Sequence, residues 1–216
     1  MRITIAILAY LFCLQFSRAQ KIEPKFTFNV ELGLPVAISN KPFQDIMQGL
    51  ACGSIYGQYS LPFHLNFGLG ARYTLFTVNE FSLPASSPVS GQIHTAGGFV
   101  KIGWDKFHNN RFATDFGVKV GYSMNFVTTD ANEDLGVGTV QMDAILIEPT
   151  LGLILTADEK NSYRLNIGYC IQGYGFSPYR IGLQSDAGYD AAEFNKLTQY
   201  LVVGFGYTYY FRDKTN

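Results

Sequence analysis

The stretch Leu197-Thr198-Gln199-Tyr200-Leu201-Val202-Val203-Gly204-Phe205-Gly206-Tyr207-Thr208-Tyr209-Tyr210-Phe211-Arg212 decides the fold. Leu197, Gln199, Leu201, Val203, Phe205, Tyr207, Tyr209 and Phe211 share one face of an extended chain, while Thr198, Tyr200, Gly204, Gly206, Thr208 and Arg212 share the other. A repeat of two belongs to a strand and not to a helix.

Seven more segments carry the same alternation, so strands are expected over 25–37, 50–60, 64–77, 92–104, 111–127, 140–156, 162–176 and 197–212. Connectors near Leu61-Pro62, Asp105–Asn110 and Asp158–Asn161 are short, and those at Ile38–Gly49, Val78–Gly91, Thr128–Thr139 and Ser177–Lys196 are long. Short and long alternate strictly, as they do when tight turns face the periplasm and longer loops face outward. The fold class expected is therefore all-β: an eight-stranded antiparallel up-and-down transmembrane β-barrel. Outward positions are Phe26, Phe28, Val30, Leu32 and Leu34 in the first strand, with Leu65, Phe67, Leu69, Ala71, Tyr73 and Leu75 in the third. Phe112, Phe116, Val118, Val120, Tyr122 and Phe126 continue the face in the fifth, and Tyr163, Leu165, Ile167, Tyr169 and Ile171 in the seventh. Trp104, Tyr163, Tyr209 and Phe211 then fall at the periplasmic rim, where amphipathic rings prefer the headgroup region.

Composition separates a membrane barrel from a soluble one. Charged residues are 15% of the chain, against a usual figure of about 25%. Aromatic residues also reach 15%, and 22 residues are glycine. A soluble ligand-binding barrel needs a charged exterior. Here the polar face is mostly Gly, Thr, Asn and Ser, which suits a crowded lumen. No segment after the first residues holds about 18 continuous apolar residues, so helical spans are excluded. The charge balance gives no basis for a nucleic-acid partner.

Residues 1–19 read as an export signal. Arg2 supplies the positive end, Ile3–Phe16 the apolar run, and Ser17-Arg18-Ala19 a small-residue cleavage site. Cleavage after Ala19 leaves a single barrel domain over 20–216 starting at Gln20. Tyr10-Leu11-Phe12 before Cys13 lacks the small residues of a lipoprotein site.

With these features the chain resembles the small outer-membrane β-barrel domain common in Bacteroidota, of the same general build as the OmpX and OmpA transmembrane barrels. Gly206, Tyr209 and Phe211 match the spacing of the β-signal by which the assembly machinery recognises a last strand, although Arg212–Asn216 follow it here. The resemblance implies residence in the bacterial outer membrane, contact with its lipid and lipopolysaccharide, and a porin-like build. It also implies a passing encounter with the barrel-assembly machinery. Some similar proteins are accessory barrels of secretion or assembly machines, which gives an alternative role.

The polar faces place Glu31, Arg72, Lys101, Asp115, Lys119, Glu148 and Arg164 inside the barrel. Counting from the connector centres sets Lys101 opposite Asp115 and Lys119 opposite Glu148, so that the charges pair and plug the lumen. An ion or proton path is the alternative reading of the same residues. Eight strands enclose little more than their own side chains, which argues against a solute channel. Some barrels of this resemblance act on lipid A, with His and Ser two apart on a strand; His94 is the candidate here, but position 96 is Ala and no nucleophile stands beside it. His64 is expected in the lumen and His108 in a turn, too scattered for a metal site. Asp130, Asn132 and Asp134 have the spacing that opens a calcium loop, yet Leu135 and Gln141 stand where Gly and Glu are needed, so a solvated acidic loop is expected. Neither a cofactor nor a resident metal is expected.

Cys52 and Cys170 are expected as two buried lumenal thiols. Asn40-Lys41-Pro42-Phe43 followed by Gln44–Gln48 reads as a short capped helix, and Asp190–Lys196 as another. Phe81, Phe176, Tyr179 and Tyr189 lie in or beside the long loops, as anchors for a protein partner or as rings packed on lipid. The leading expectation is a non-enzymatic barrel that works through its extracellular loops. A narrow channel or a lipid-modifying enzyme stands as the remaining alternative.

Overall fold

The two-residue repeat becomes eight strands in the computed structural model, which describes residues 25–83, 88–109 and 111–211. They are β1 (Phe26–Ser39), β2 (Met47–Ser60), β3 (Leu65–Val78), β4 (Gly91–Phe107), β5 (Phe112–Thr129), β6 (Val140–Thr156), β7 (Asn161–Gly175) and β8 (Leu197–Phe211). Each end lies within three residues of the sequence expectation. The proposed export signal and the residues after Phe211 lie outside the described residues.

Every strand pairs antiparallel with its sequence neighbour, and β1 pairs with β8, so the sheet closes. Closure removes the sheet edges that lipid cannot satisfy. Following the register once around leads from Ser39 through Gln199, Ile171, Ile147, Val120, Val100, Leu69 and Gly57 to Phe28 of the same strand. That stagger is the shear that tilts strands against the barrel axis.

Which face turns inward follows from what each face can bury. None of the outward positions assigned in the first, third, fifth and seventh strands is buried. Leu32, Leu69, Phe205 and Ile145 are more than half exposed. Such an apolar exterior around a polar lumen is the arrangement of a barrel in lipid. No described helix is long and apolar enough to cross a membrane.

Alternating bulk fills the interior. Tyr56, Gly70, Phe99, Gly121 and Leu146 occupy one register row across β2 to β6. A Cβ on Gly121 would lie 2.1 Å from the Gly98 carbonyl oxygen and 2.8 Å from Phe99 Cβ. Glycine is what lets the Tyr56 and Phe99 rings meet across the row, their centroids 5.8 Å apart.

Aromatic rings gather at the short-turn end. Phe211 lies 5.2 Å from Phe26 and 5.0 Å from Tyr209, and Tyr163 lies 6.2 Å from Tyr207. This is the periplasmic girdle, with both described ends of the chain on its side.

Candidate functional site

The lumen has two layers, and the periplasmic one is ionic. Glu31, Arg72, Lys101, Asp115, Lys119, Glu148 and Arg164 all point into it, none more than 6% exposed. Glu31 accepts hydrogen bonds from Lys119 Nζ at 2.6 Å, Tyr56 OH at 2.7 Å and Ser54 Oγ at 2.9 Å. Asp115 accepts from Lys101 Nζ at 2.7 Å and from the Arg164 guanidinium. Glu148 pairs with Arg72 and stands 3.3 Å from Lys119 Nζ. Arg164 links the sets by donating to Tyr56 OH at 2.9 Å. Charges out of water persist when they are paired, and each charge of this web stands beside an opposite one.

Two sequence expectations need correction. Lys101 faces Lys119 across the ladder, not Asp115, because the β4–β5 turn is centred two residues later than its connector suggests. The Lys101–Asp115 pair still forms, diagonally. Lys119 does face Glu148. The second correction concerns Asp105, assigned to a turn from the sequence. Strand β4 runs on to Phe107, so Asp105 points into the lumen and accepts from Gln58 Nε2 at 2.9 Å. With it the interior holds, among the described residues, four cationic and four acidic side chains: Arg72, Lys101, Lys119 and Arg164 with Glu31, Asp105, Asp115 and Glu148.

The outer layer is apolar. Phe43, Phe76, Phe176, Ile181 and Leu183 form its centre, and the Phe43 ring lies 4.9 Å from Phe76 and 5.5 Å from Phe176. Arg72 marks the boundary, its guanidinium 5.6 Å from the Tyr200 ring. Cys52 and Cys170 sit in this layer as buried free thiols, and Thr74 Oγ1 lies 3.5 Å from Cys52 Sγ.

Over that plug the four long loops bond to one another in a ring. The first holds α1 (Lys41–Ile46), capped by Asn40 Oδ1 accepting from the Phe43 N–H at 3.1 Å. Ile46 C=O accepts from Asn79 N–H of the second loop at 2.7 Å. The second and third loops join where Asp130 Oδ1 accepts from Ser90 N–H at 2.9 Å. The third, with α2 (Asp130–Asp134), reaches the fourth through Thr129 Oγ1 to Ile181 C=O and Asn132 Nδ2 to Arg180 C=O, both at 3.0 Å. The fourth carries α3 (Ala191–Phe194) and returns to the first through Asn40 Nδ2, which donates to Phe176 C=O at 3.0 Å and Lys196 C=O at 2.9 Å. Tyr189 OH adds a bond to Asp45 Oδ2 at 3.3 Å.

Those contacts revise two loop expectations. Asn132 is buried as a latch, so the Asp130–Asp134 segment is not simply a solvated acidic turn. No group of three potential metal ligands occurs among the described residues. Phe176 is fully buried and cannot anchor a partner, whereas Phe81 is fully exposed and Tyr179 is 53% exposed. On the outer wall, His94 Nδ1 lies 2.6 Å from Tyr73 OH. His64 lies in a turn, its ring 6.2 Å from that of Trp104, and His108 Nε2 lies 3.0 Å from Thr114 Oγ1, so the three imidazoles stay apart.

No family model and no curated protein sequence matches the chain. Among solved structures it shares the fold of Neisserial surface protein A, at 13% identity and a TM-score of 0.55 over 87% of this chain and 97% of that one. The outer membrane protein OprG from Pseudomonas aeruginosa aligns at 12% identity and TM-score 0.47, over 88% of this chain and 98% of its own. Ail, the attachment invasion locus protein of Yersinia pestis, aligns at 7% identity and TM-score 0.44, over 85% and 99%. At such identities the likeness is one of fold. Fold and exterior together define an eight-stranded antiparallel barrel of the small outer-membrane type.

Proposed function

We propose that this chain is a non-enzymatic outer-membrane barrel of the Bacteroidota type that works as a rigid mount for its extracellular face. The observation carrying this reading is the double closure of the lumen. An ionic layer fills the periplasmic half, and an apolar plug under cross-bonded loops fills the other. A transported solute would have to break both layers, and His94 contacts a tyrosine where an acyl hydrolase needs a nucleophile beside it. What is left for the outer face is recognition. Phe81 and Tyr179 stand exposed on loops tied to their neighbours by the ring of bonds, and pre-ordered aromatic groups bind at a low entropic cost.

Biogenesis completes the proposal. Residues 1–19 act as the cleaved leader, and 20–216 form the barrel. Gly206, Tyr209 and Phe211 serve the assembly machinery, after which lipid and lipopolysaccharide surround the wall. In the folded barrel these three also have local work: a Cβ on Gly206 would come within 3.3 Å of Arg164 Cβ and Glu31 Cγ, while Tyr209 and Phe211 join the aromatic girdle. Photocrosslinkers placed in the four long loops, most densely along 177–196, test the interaction role in intact cells. A defined protein adduct is expected from at least one position, and a clean absence of adducts at all four loops would contradict it.

A further inference from the structure

Asp105 and Asp115 face each other across the β4–β5 ladder, both point into the lumen, and they are only 7% and 2% exposed. Directly opposed side chains on one sheet face stand roughly 5 Å apart at Cβ, where like charges repel. Their oxygens are unequally served. Asp115 Oδ2 receives Lys101 Nζ at 2.7 Å and the Arg164 guanidinium. Among the described residues Asp105 Oδ2 receives the neutral amide of Gln58, at 2.9 Å, and Oδ1 of each is buried and meets no N–H or O–H donor.

We propose that Asp105 carries a proton and donates it to Asp115, which makes the pair a proton-binding site at the periplasmic mouth of the barrel. One proton relieves the repulsion and supplies the single donor that the two Oδ1 atoms lack. The surrounding groups decide which acid holds it. Lys101 on β4 and Arg164 on β7 both pair with Asp115, while also donating to Gln58 Oε1 and Tyr56 OH. Asp105 otherwise faces neutral groups: Gln58 on β2, Thr27 on β1, and Thr208 and Tyr210 on β8. Those residues line a small cleft together with Asp105 and Arg164, at the end of the lumen where β4 runs out. Beyond the ionic layer the apolar plug blocks further passage, so the site binds a proton without conducting it.

A competing account keeps Asp105 ionised, because four anions then match four cations. The two differ in what Asp105→Asn does. An amide restores a donor toward Asp115 and copies the neutral acid, so the urea midpoint of reconstituted barrel near pH 7 should hold or rise. Asp115→Asn, which strips Lys101 and Arg164 of their anion, should lower it clearly. The infrared spectrum of the wild-type barrel reads the proton directly. A protonated-carboxyl band should be present near neutral pH, should shift when aspartate is carbon-13 labelled, and should vanish in Asp105→Asn. Absence of the band from the wild type, or an Asp105→Asn barrel as damaged as Asp115→Asn, overturns the proposal.

Discussion

Lys101 and Lys119 face each other across the β4–β5 ladder, yet their ammonium groups part, Lys101 to Asp115 at 2.7 Å and Lys119 to Glu31 at 2.6 Å. Both also lie over the Tyr56 ring, at 5.2 Å and 5.5 Å from its centroid, so the same π-system attracts each cation. The lumen is therefore held by a web that spans the barrel, since Glu31 and Lys119 come from β1 and β5, on opposite sides of the wall.

Breaking that web on one side should be costly. Glu31→Gln leaves Lys119 beside Arg72 and Arg164 without its closest anion, a change worth about 3–5 kcal/mol in buried pairs. Adding Lys119→Met should recover part of the loss. Urea unfolding in lipid vesicles, followed by Trp104 fluorescence, checks both, and an additive double variant would show that the pair is uncoupled.

Asn40 closes the cap. Its side chain caps α1 and donates to three carbonyls of the fourth loop, and its backbone sits at φ 66, a conformation that Asn tolerates. Asn40→Gly keeps the backbone and loses the bonds. A cost of about 1–3 kcal/mol is expected, with proteolysis of the 184–190 segment accelerated while the barrel stays folded.

Gly121→Ala tests the alternation of bulk in the lumen. The new methyl would meet the Gly98 carbonyl and Phe99, and overpacking of this kind costs about 1–3 kcal/mol. Slower folding into detergent micelles and a lower urea midpoint are the expected outcome. An unchanged midpoint would mean that the row relaxes freely.

Tyr189 reports on the cap through pH. Partial burial and the nearby Asp45 carboxylate push its phenol up to about 12, against an ordinary value of about 10. The tie to Asp45 should therefore persist through mildly alkaline solution and be lost only as pH passes about 12. The ultraviolet titration difference between wild type and Tyr189→Phe isolates that one phenolate.

Strands and their faces were legible because lipid imposes one rule along every outward position, and β6 is found at the expected 140–156. The seven lumenal charges were legible for the same reason. Asp105 was not, although Asp105-in and Lys106-out continue the β4 alternation, because a charged pair beside His108 and two Asn residues also reads as a turn. Register across β4–β5 depended on a turn centre that the sequence leaves free by two residues. The outer plug was hidden by its own chemistry: Phe76, Ile93 and Val127 point inward as apolar side chains and so dilute the alternation. Phe43 comes from a segment read as loop and Phe176 from the last position of an expected strand, and the bonds of Asn40 tie the two over the lumen.

Val118 projects outward from the middle of β5, next to Lys119, which is fully enclosed. A spin label attached at Val118→Cys in reconstituted barrel, with the buried Cys52 and Cys170 left in place, tests the orientation of the whole wall. Lipid-dissolved oxygen should relax it strongly and a water-soluble nickel chelate should not; a label relaxed by the chelate and shielded from oxygen would contradict a barrel that turns its apolar face to the membrane.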